Sequence, residues 1–161
     1  MSHPNENDGK TTISAQLVEL ASERYRFGHT PTGDSYAVPL APPRRALPLR
    51  SLRNELAALY HAETGKVASA SALGDALLVL EGKSRAEPAK MTHLRVARHE
   101  GNLVLDLGDP DGNTIVVTPS GWANVSRSPI LFRRTVLTSP LPVPTEHGHL
   151  DHLRDLLNVT A

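Results

Sequence analysis

The chain predicts an α+β fold, and three observations carry that expectation. Apolar residues recur at helical spacing over the first half, the period changes to two from Thr92 onward, and Gly- and Pro-bearing turns separate the alternating segments at short intervals. The expected order is N-terminal helices that include a helical hairpin, then a five-stranded antiparallel meander, then a C-terminal helix. At 161 residues and 39% hydrophobic content the chain suffices for one ordinary domain, or two small lobes sharing a core. Composition divides it into a disordered polar tail (1–10), a helical subdomain with a short edge strand (11–85), the meander (86–135), and a Pro-rich connector with the last helix (136–161).

Each element has a local reason. Thr11 or Thr12 caps a first helix in which Ile13, Leu17, Leu20, Ala21 and Tyr25 share one stripe, and the pattern ends before Gly28. After the turn residues His29 to Asp34, Ser35 to Leu40 alternates as a strand, expected at a sheet edge because Pro39 cannot donate to a ladder. Ser51 is the expected N-cap of a second helix, Leu52 to Thr64, closed by Gly65. Ser69 or Ser71 caps a third, Ala72 to Glu81, closed by Gly82. The alternating strands are expected at His93–Ala97, Leu103–Leu107, Thr114–Thr118, Trp122–Val125 and Ile130–Arg133, with turns between them. Pro140, Pro142 and Pro144 stiffen the connector to an amphipathic helix from Leu150 to Leu157.

Composition excludes several chemistries. There is no cysteine, which removes disulfides, iron–sulfur clusters, Cys-containing zinc sites and a cysteine nucleophile. No apolar run reaches the roughly 18 residues of a membrane span and the opening residues are polar, so a cytoplasmic location without a membrane partner is expected. Seventeen basic and seventeen acidic side chains cancel, so attraction to a polyanion must arise from how charge is distributed. That distribution is uneven: Arg44, Arg45, Arg50 and Arg53 have no acid between them, Lys83, Arg85, Lys90, Arg95 and Arg98 have only Glu87, and Arg127, Arg133 and Arg134 have none.

Solvation of a surface is the ordinary use of such clusters. The functional reading is a nucleic-acid interface made by Arg95, Arg98, Arg127, Arg133 and Arg134, with Trp122 as a stacking platform for unpaired bases. Other motifs are weaker. The helical hairpin has the form of a helix-turn-helix, but its second helix carries Asp75 and Glu81 and no Arg, Asn or Gln for base edges. Asp106, Asp109 and Asp111 share a turn without the further oxygens of a calcium loop, and favour bonding to local amides. His147, His149 and His152 lack a further ligand for zinc and read as exposed histidines. Gly65-Lys66 has Tyr60 and Val67 where a phosphate loop needs Gly and Ser or Thr. No hydrolase elbow, dinucleotide fingerprint or zinc-protease helix occurs, so no enzyme, metal or cofactor is expected.

His93-Leu94-Arg95-Val96-Ala97, Leu103 to Asp109, Thr118-Pro119-Ser120-Gly121-Trp122, Phe132-Arg133-Arg134, Leu141-Pro142-Val143-Pro144 and Leu156-Leu157-Asn158-Val159 together resemble a family region. It is the segment preceding the P-loop ATPase domain in primase-helicase-like replication proteins of actinobacterial prophages, plasmids and other mobile elements. The resemblance covers most of the chain from the first helix onward and departs from it at His147-Gly148-His149, where a glycine pair is expected. It implies an isolated N-terminal domain with an adjoining or separate P-loop helicase-like module as partner, and it transfers no catalytic residue. The leading expectation is therefore a non-catalytic accessory domain of a mobile-element replication protein that contacts single-stranded or forked DNA. A protein-docking or oligomerisation module is the alternative, and a metal-dependent phosphodiester enzyme using the Asp106, Asp109 and Asp111 turn the third. The oligomeric state is left open.

Overall fold

A computed structural model describes residues 11–145. Three helices and two antiparallel sheets give an α+β architecture. The predicted C-terminal helix, the His147, His149 and His152 group and the N-terminal tail lie outside the described residues.

Helix α1 (Ile13–Arg24) begins where Thr12, in extended conformation, accepts a hydrogen bond from the Ala15 amide. It ends earlier than its apolar stripe predicts, because Tyr25 turns extended and opens strand β1 (Tyr25–His29). Tyr25 still faces the core, where its hydroxyl donates to the Glu55 carboxylate, and burial with that contact raises its pKa. β1 pairs antiparallel with β2 (Ser35–Pro39), and β2 with the two-residue β3 (Leu47–Pro48). The predicted edge strand is thus the middle strand of three. Pro39 is tolerated because β3 pairs only with Tyr36 and Ala37, so no ladder bond toward β3 is asked of it.

A 3-10 turn at Leu49–Ser51 leads into α2 (Leu52–Thr64). Ser51 does not cap α2 as predicted: it is already helical, and its hydroxyl donates back to the Pro48 carbonyl at 2.7 Å. Gly65 does close α2, at φ 67°, a left-handed conformation that costs a glycine little. Helix α3 (Ala70–Ala86) is capped by Ser69 and runs through Gly82, the predicted stop. Glycine ends a helix by turning left-handed, and Gly82 keeps helical backbone because the following turn is packed. Ser84 is fully buried there, with its Oγ 2.7 Å from both Ser35 Oγ and Glu81 O.

The three helices cover one face of the first sheet, and their shared core includes Leu17, Tyr25, Ala37, Leu52, Leu56, Tyr60, Leu73 and Leu80. The outer face presents Arg26, Gly28, Tyr36 and Val38, which alternate with the core-facing residues.

The second sheet is a meander of four strands: β4 (Val96–His99), β5 (Asn102–Asp106), β6 (Thr114–Thr118) and β7 (Gly121–Val125), in that spatial order. Glu100 and Gly101, both with positive φ, make the two-residue hairpin between β4 and β5. β4 starts three residues later than predicted, and the predicted fifth strand does not join the sheet. Residues 131–133 instead run between two partners: Ala46 N donates to Phe132 O at 2.8 Å, and Arg133 N to His93 O at 2.8 Å, with His93 N donating to Leu131 O at 3.0 Å. These parallel bridges connect the first lobe to the meander. Alternation alone misleads here because the backbone groups of residues 131–133 are engaged by Ala46 and His93 and do not pair with the sheet. Ala97, Val104 and Phe132 form a second, smaller core.

The β5–β6 turn is held by side chains. Asp109 Oδ1 accepts from the Gly112 and Asn113 amides at 2.7 and 2.9 Å, and Oδ2 from Asn113 Nδ2 at 2.7 Å. Burial opposes its ionisation, but these bonds and Arg134 outweigh burial and hold the carboxyl below its usual range. Because the folded pKa lies below the unfolded one, the stability that this carboxylate contributes is complete above pH 3.8 and is lost as pH falls through the folded value. The stability gap between the wild type and Asp109→Asn, followed by urea melts against pH, is expected to be constant from neutrality to that point and to narrow below it. A gap that persists well below it contradicts this role.

Candidate nucleic-acid interface

The six side chains expected to hold DNA do not share one surface. Arg134 is an internal strut: Nε and Nη2 reach Asp106 Oδ2 and Oδ1 at 2.9 and 2.7 Å, and Nη1 donates to the Asp109 carbonyl. The pair is nearly dry, with side-chain exposures of 13% for Arg134 and 2% for Asp106. Arg95 donates to the carbonyls of Asp106 at 3.1 Å and Ser139 at 2.8 Å, tying the start of the connector to the end of β5. Both guanidinium groups are therefore structural.

Arg98 and Trp122 lie on the outer face of the meander. The registers Arg98↔Leu103, Leu103↔Val117 and Val117↔Trp122 put them at opposite ends of one cross-strand row, about 14 Å apart at ~4.8 Å per strand. Arg133 is exposed and lines a cavity of about 580 Å³ with an apolar floor that includes Leu47 and Leu77, beside Arg50, Arg85, Asp34 and Glu81. There positive and negative groups are nearly balanced, and Arg85 is paired with Glu81 at 2.8 Å.

Arg127 has a different setting. It lines a groove of about 670 Å³ on the outer face of the first sheet, together with Arg26, Arg44 and Lys90; Glu87 is the one carboxylate there among the described residues. The floor is apolar: Tyr36, Val38 and Leu131. Its shape depends on Gly28, since a Cβ at that position would sit 2.7 Å from Tyr36 Oη and 2.8 Å from Cζ, so the ring lies across the bare backbone of the opposite strand. No side-chain hydrogen bond or carboxylate engages Arg26, Lys90 or Arg127 among the described residues, whereas Arg44 Nε donates to the Leu40 carbonyl at 3.1 Å. A second cavity adjoins it, sharing Arg26 and Glu87 and adding Lys83. Four cations facing one carboxylate, in a protein of zero net charge, concentrate positive potential over a concave surface.

Arg26 had no place among the expected contacts. Its signal was available: in Tyr25-Arg26-Phe27-Gly28-His29 the large apolar residues alternate, and a strand there puts Arg26 on the face opposite the core. Of the Asp106, Asp109 and Asp111 group, the first is committed to Arg134 and the second to the turn amides, and among the described residues no three His, Asp or Glu side chains gather at metal-ligand spacing. No described helix is long and apolar enough to cross a membrane. No protein-family profile, curated protein or solved structure matches this chain.

Proposed function

We propose that this domain is a non-catalytic accessory domain of a primase-helicase-like mobile-element replication protein, and that it holds single-stranded or forked DNA by its phosphates. The observation that carries the reading is the convergence of Arg26, Arg44, Lys90 and Arg127 on one concave surface with a single opposing carboxylate. Guanidinium and ammonium groups arrayed this way match a phosphate backbone in charge and hydrogen bonding, without reading base edges. The apolar floor at Tyr36, Val38 and Leu131 suits unpaired bases better than the sugar–phosphate wall of a duplex. The resemblance to mobile-element replication proteins supplies the context: DNA held beside a P-loop module that moves along it.

Fluorescence polarisation with labelled single-stranded, forked and duplex oligonucleotides tests this. Four phosphate contacts on a single strand predict a slope of log affinity against log salt of about −3, or roughly a fifty-fold loss between ~50 and ~200 mM. The double variant Arg26→Glu/Arg127→Glu is expected to lose binding at least ten-fold with an unchanged melting temperature, while Arg134 variants act through stability. Absence of any affinity at low salt, or equal binding by the groove variant, overturns the reading.

A further inference from the structure

The meander is apolar on both faces: the inner one is covered, and the outer one is covered at Ile115, 2% exposed, but open around it. Its inner face, Ala97, Val104 and Val116, packs on Phe132 and Ile130. On the outer face Val96, Leu103, Val117 and Trp122 remain 54%, 43%, 40% and 40% exposed. The registers run Val96–Leu105–Ile115–Asn124 and Arg98–Leu103–Val117–Trp122, so the only charged residue in these two rows is Arg98, on the strand farthest from β7. An antiparallel sheet with one solvated face carries mostly polar residues there, whereas in these two rows only Arg98 and Asn124 are polar.

The same surface ends in an open strand. β7 is the last strand of the sheet and, among the described residues, pairs on one side only, with β6. Edge strands are usually protected from adding another strand by Lys, Pro, an inward charge or a bulge. Gly121-Trp122-Ala123-Asn124-Val125 has none of these residues, and its pairing with β6 is unbroken over all five positions.

From these two observations we infer that β7 is a homotypic interface: two copies of the chain pair their β7 strands antiparallel and merge their meanders into one eight-stranded sheet. A second copy fits because the surface is complementary to itself. A two-fold axis at Ala123 sets Ala123 against Ala123 of the partner subunit, and Trp122 against Asn124 of the partner subunit. The small side chains of Gly121 and Ala123 let the inner faces approach, while the two outer apolar rows become continuous across the seam. An uncharged strand favours an uncharged partner, and at zero net charge two copies meet without long-range repulsion. This inference does not draw on the groove, whose cations Arg26, Arg44, Lys90 and Arg127 all lie outside strands β4 to β7, although Arg127 follows β7 by two residues.

The chain carries its own probe, because Trp122 is the only tryptophan. Sedimentation equilibrium of the full chain from low to high micromolar concentration is expected to give a dimer. Over the same range tryptophan emission is expected to move to the blue and acrylamide quenching to fall. Asn124→Lys and Asn124→Glu each place like charges diagonally across the seam, so each alone is expected to be monomeric with wild-type circular dichroism, and their equimolar mixture to recover the dimer. A wild type that stays monomeric with constant emission overturns the inference, as does a dimer whose mass neither substitution changes. Should either variant fail to fold, the concentration dependence of the wild-type tryptophan signal decides the question without it.

Discussion

Asp106→Ala is expected to destabilise the protein by about 3–5 kcal/mol, because it leaves the Arg134 guanidinium charged in a nearly dry site. The pair is bidentate at 2.7 and 2.9 Å, and Asp106 Oδ1 also accepts from the Gly108 amide at 3.0 Å, so the substitution orphans three donors together. For a chain of this length the loss corresponds to a fall in melting temperature of roughly ten degrees or more. Arg134→Met, which strands the still more deeply buried Asp106 carboxylate, is expected to cost about as much as Asp106→Ala, and Asp106→Leu combined with Arg134→Met to recover much of the deficit, since matched apolar replacement removes the desolvation of both ions. Urea or thermal melts of the two single variants and the double variant measure the coupling. A loss below about 1 kcal/mol for Asp106→Ala would mean that the guanidinium finds water or another acceptor, and the structural role assigned to Arg134 would fail with it.

Leu56→Ala comes next in size, with an expected loss of about 2–5 kcal/mol. Leu56 is fully buried on α2, in the core where all three helices meet the first sheet. Tight packing of Leu17, Leu52, Tyr60 and Leu80 around it limits collapse of the resulting cavity. The two lobes are joined by backbone bonds at Ala46, His93 and Lys90, the last donating from its amide to His29 O at 2.9 Å, so one cooperative transition is expected to shift as a whole. Two separated transitions, with only the earlier one moved, would show that the lobes unfold independently. The DNA binding proposed for the groove is expected to be unchanged per folded molecule, because Leu56 does not line it.

The two substitutions expose a difference between the lobes. The first is held by an extensive apolar core. The meander buries fewer apolar side chains, Ala97, Val104, Leu107, Ile115 and Phe132, and relies also on the Asp106–Arg134 pair, the Arg95 bonds to backbone carbonyls and the Asp109 turn. The arginines that make this region look basic in sequence are in good part its scaffold.

Helical periodicity, the caps Thr12 and Ser69, the Gly65 stop and the hairpin turns were legible because each depends on residues within a few positions of one another. The errors have equally definite causes. Tyr25 fits both a helical stripe and an alternating strand, and pairing with β2 decides for the strand. Gly82 looks like a terminator, yet burial of Ser84 carries α3 past it. Residues 130–133 alternate like a strand, but their hydrogen-bond partners are single residues on two sides rather than a sheet edge.

The sequence by itself determined the α+β class, the presence of three helices, the order of four meander strands and the presence of unbalanced basic clusters. Only the tertiary structure decided what each cation does. Arg134 meets Asp106 from 28 residues away and is neutralised, while Arg26 on β1, Arg44, Lys90 and Arg127 are brought to one groove from separate parts of the chain. Capping and periodicity act through neighbours along the backbone and can be read from it. The electrostatic role of a side chain is set by whichever groups folding brings within a few ångströms, and those lie far away in sequence.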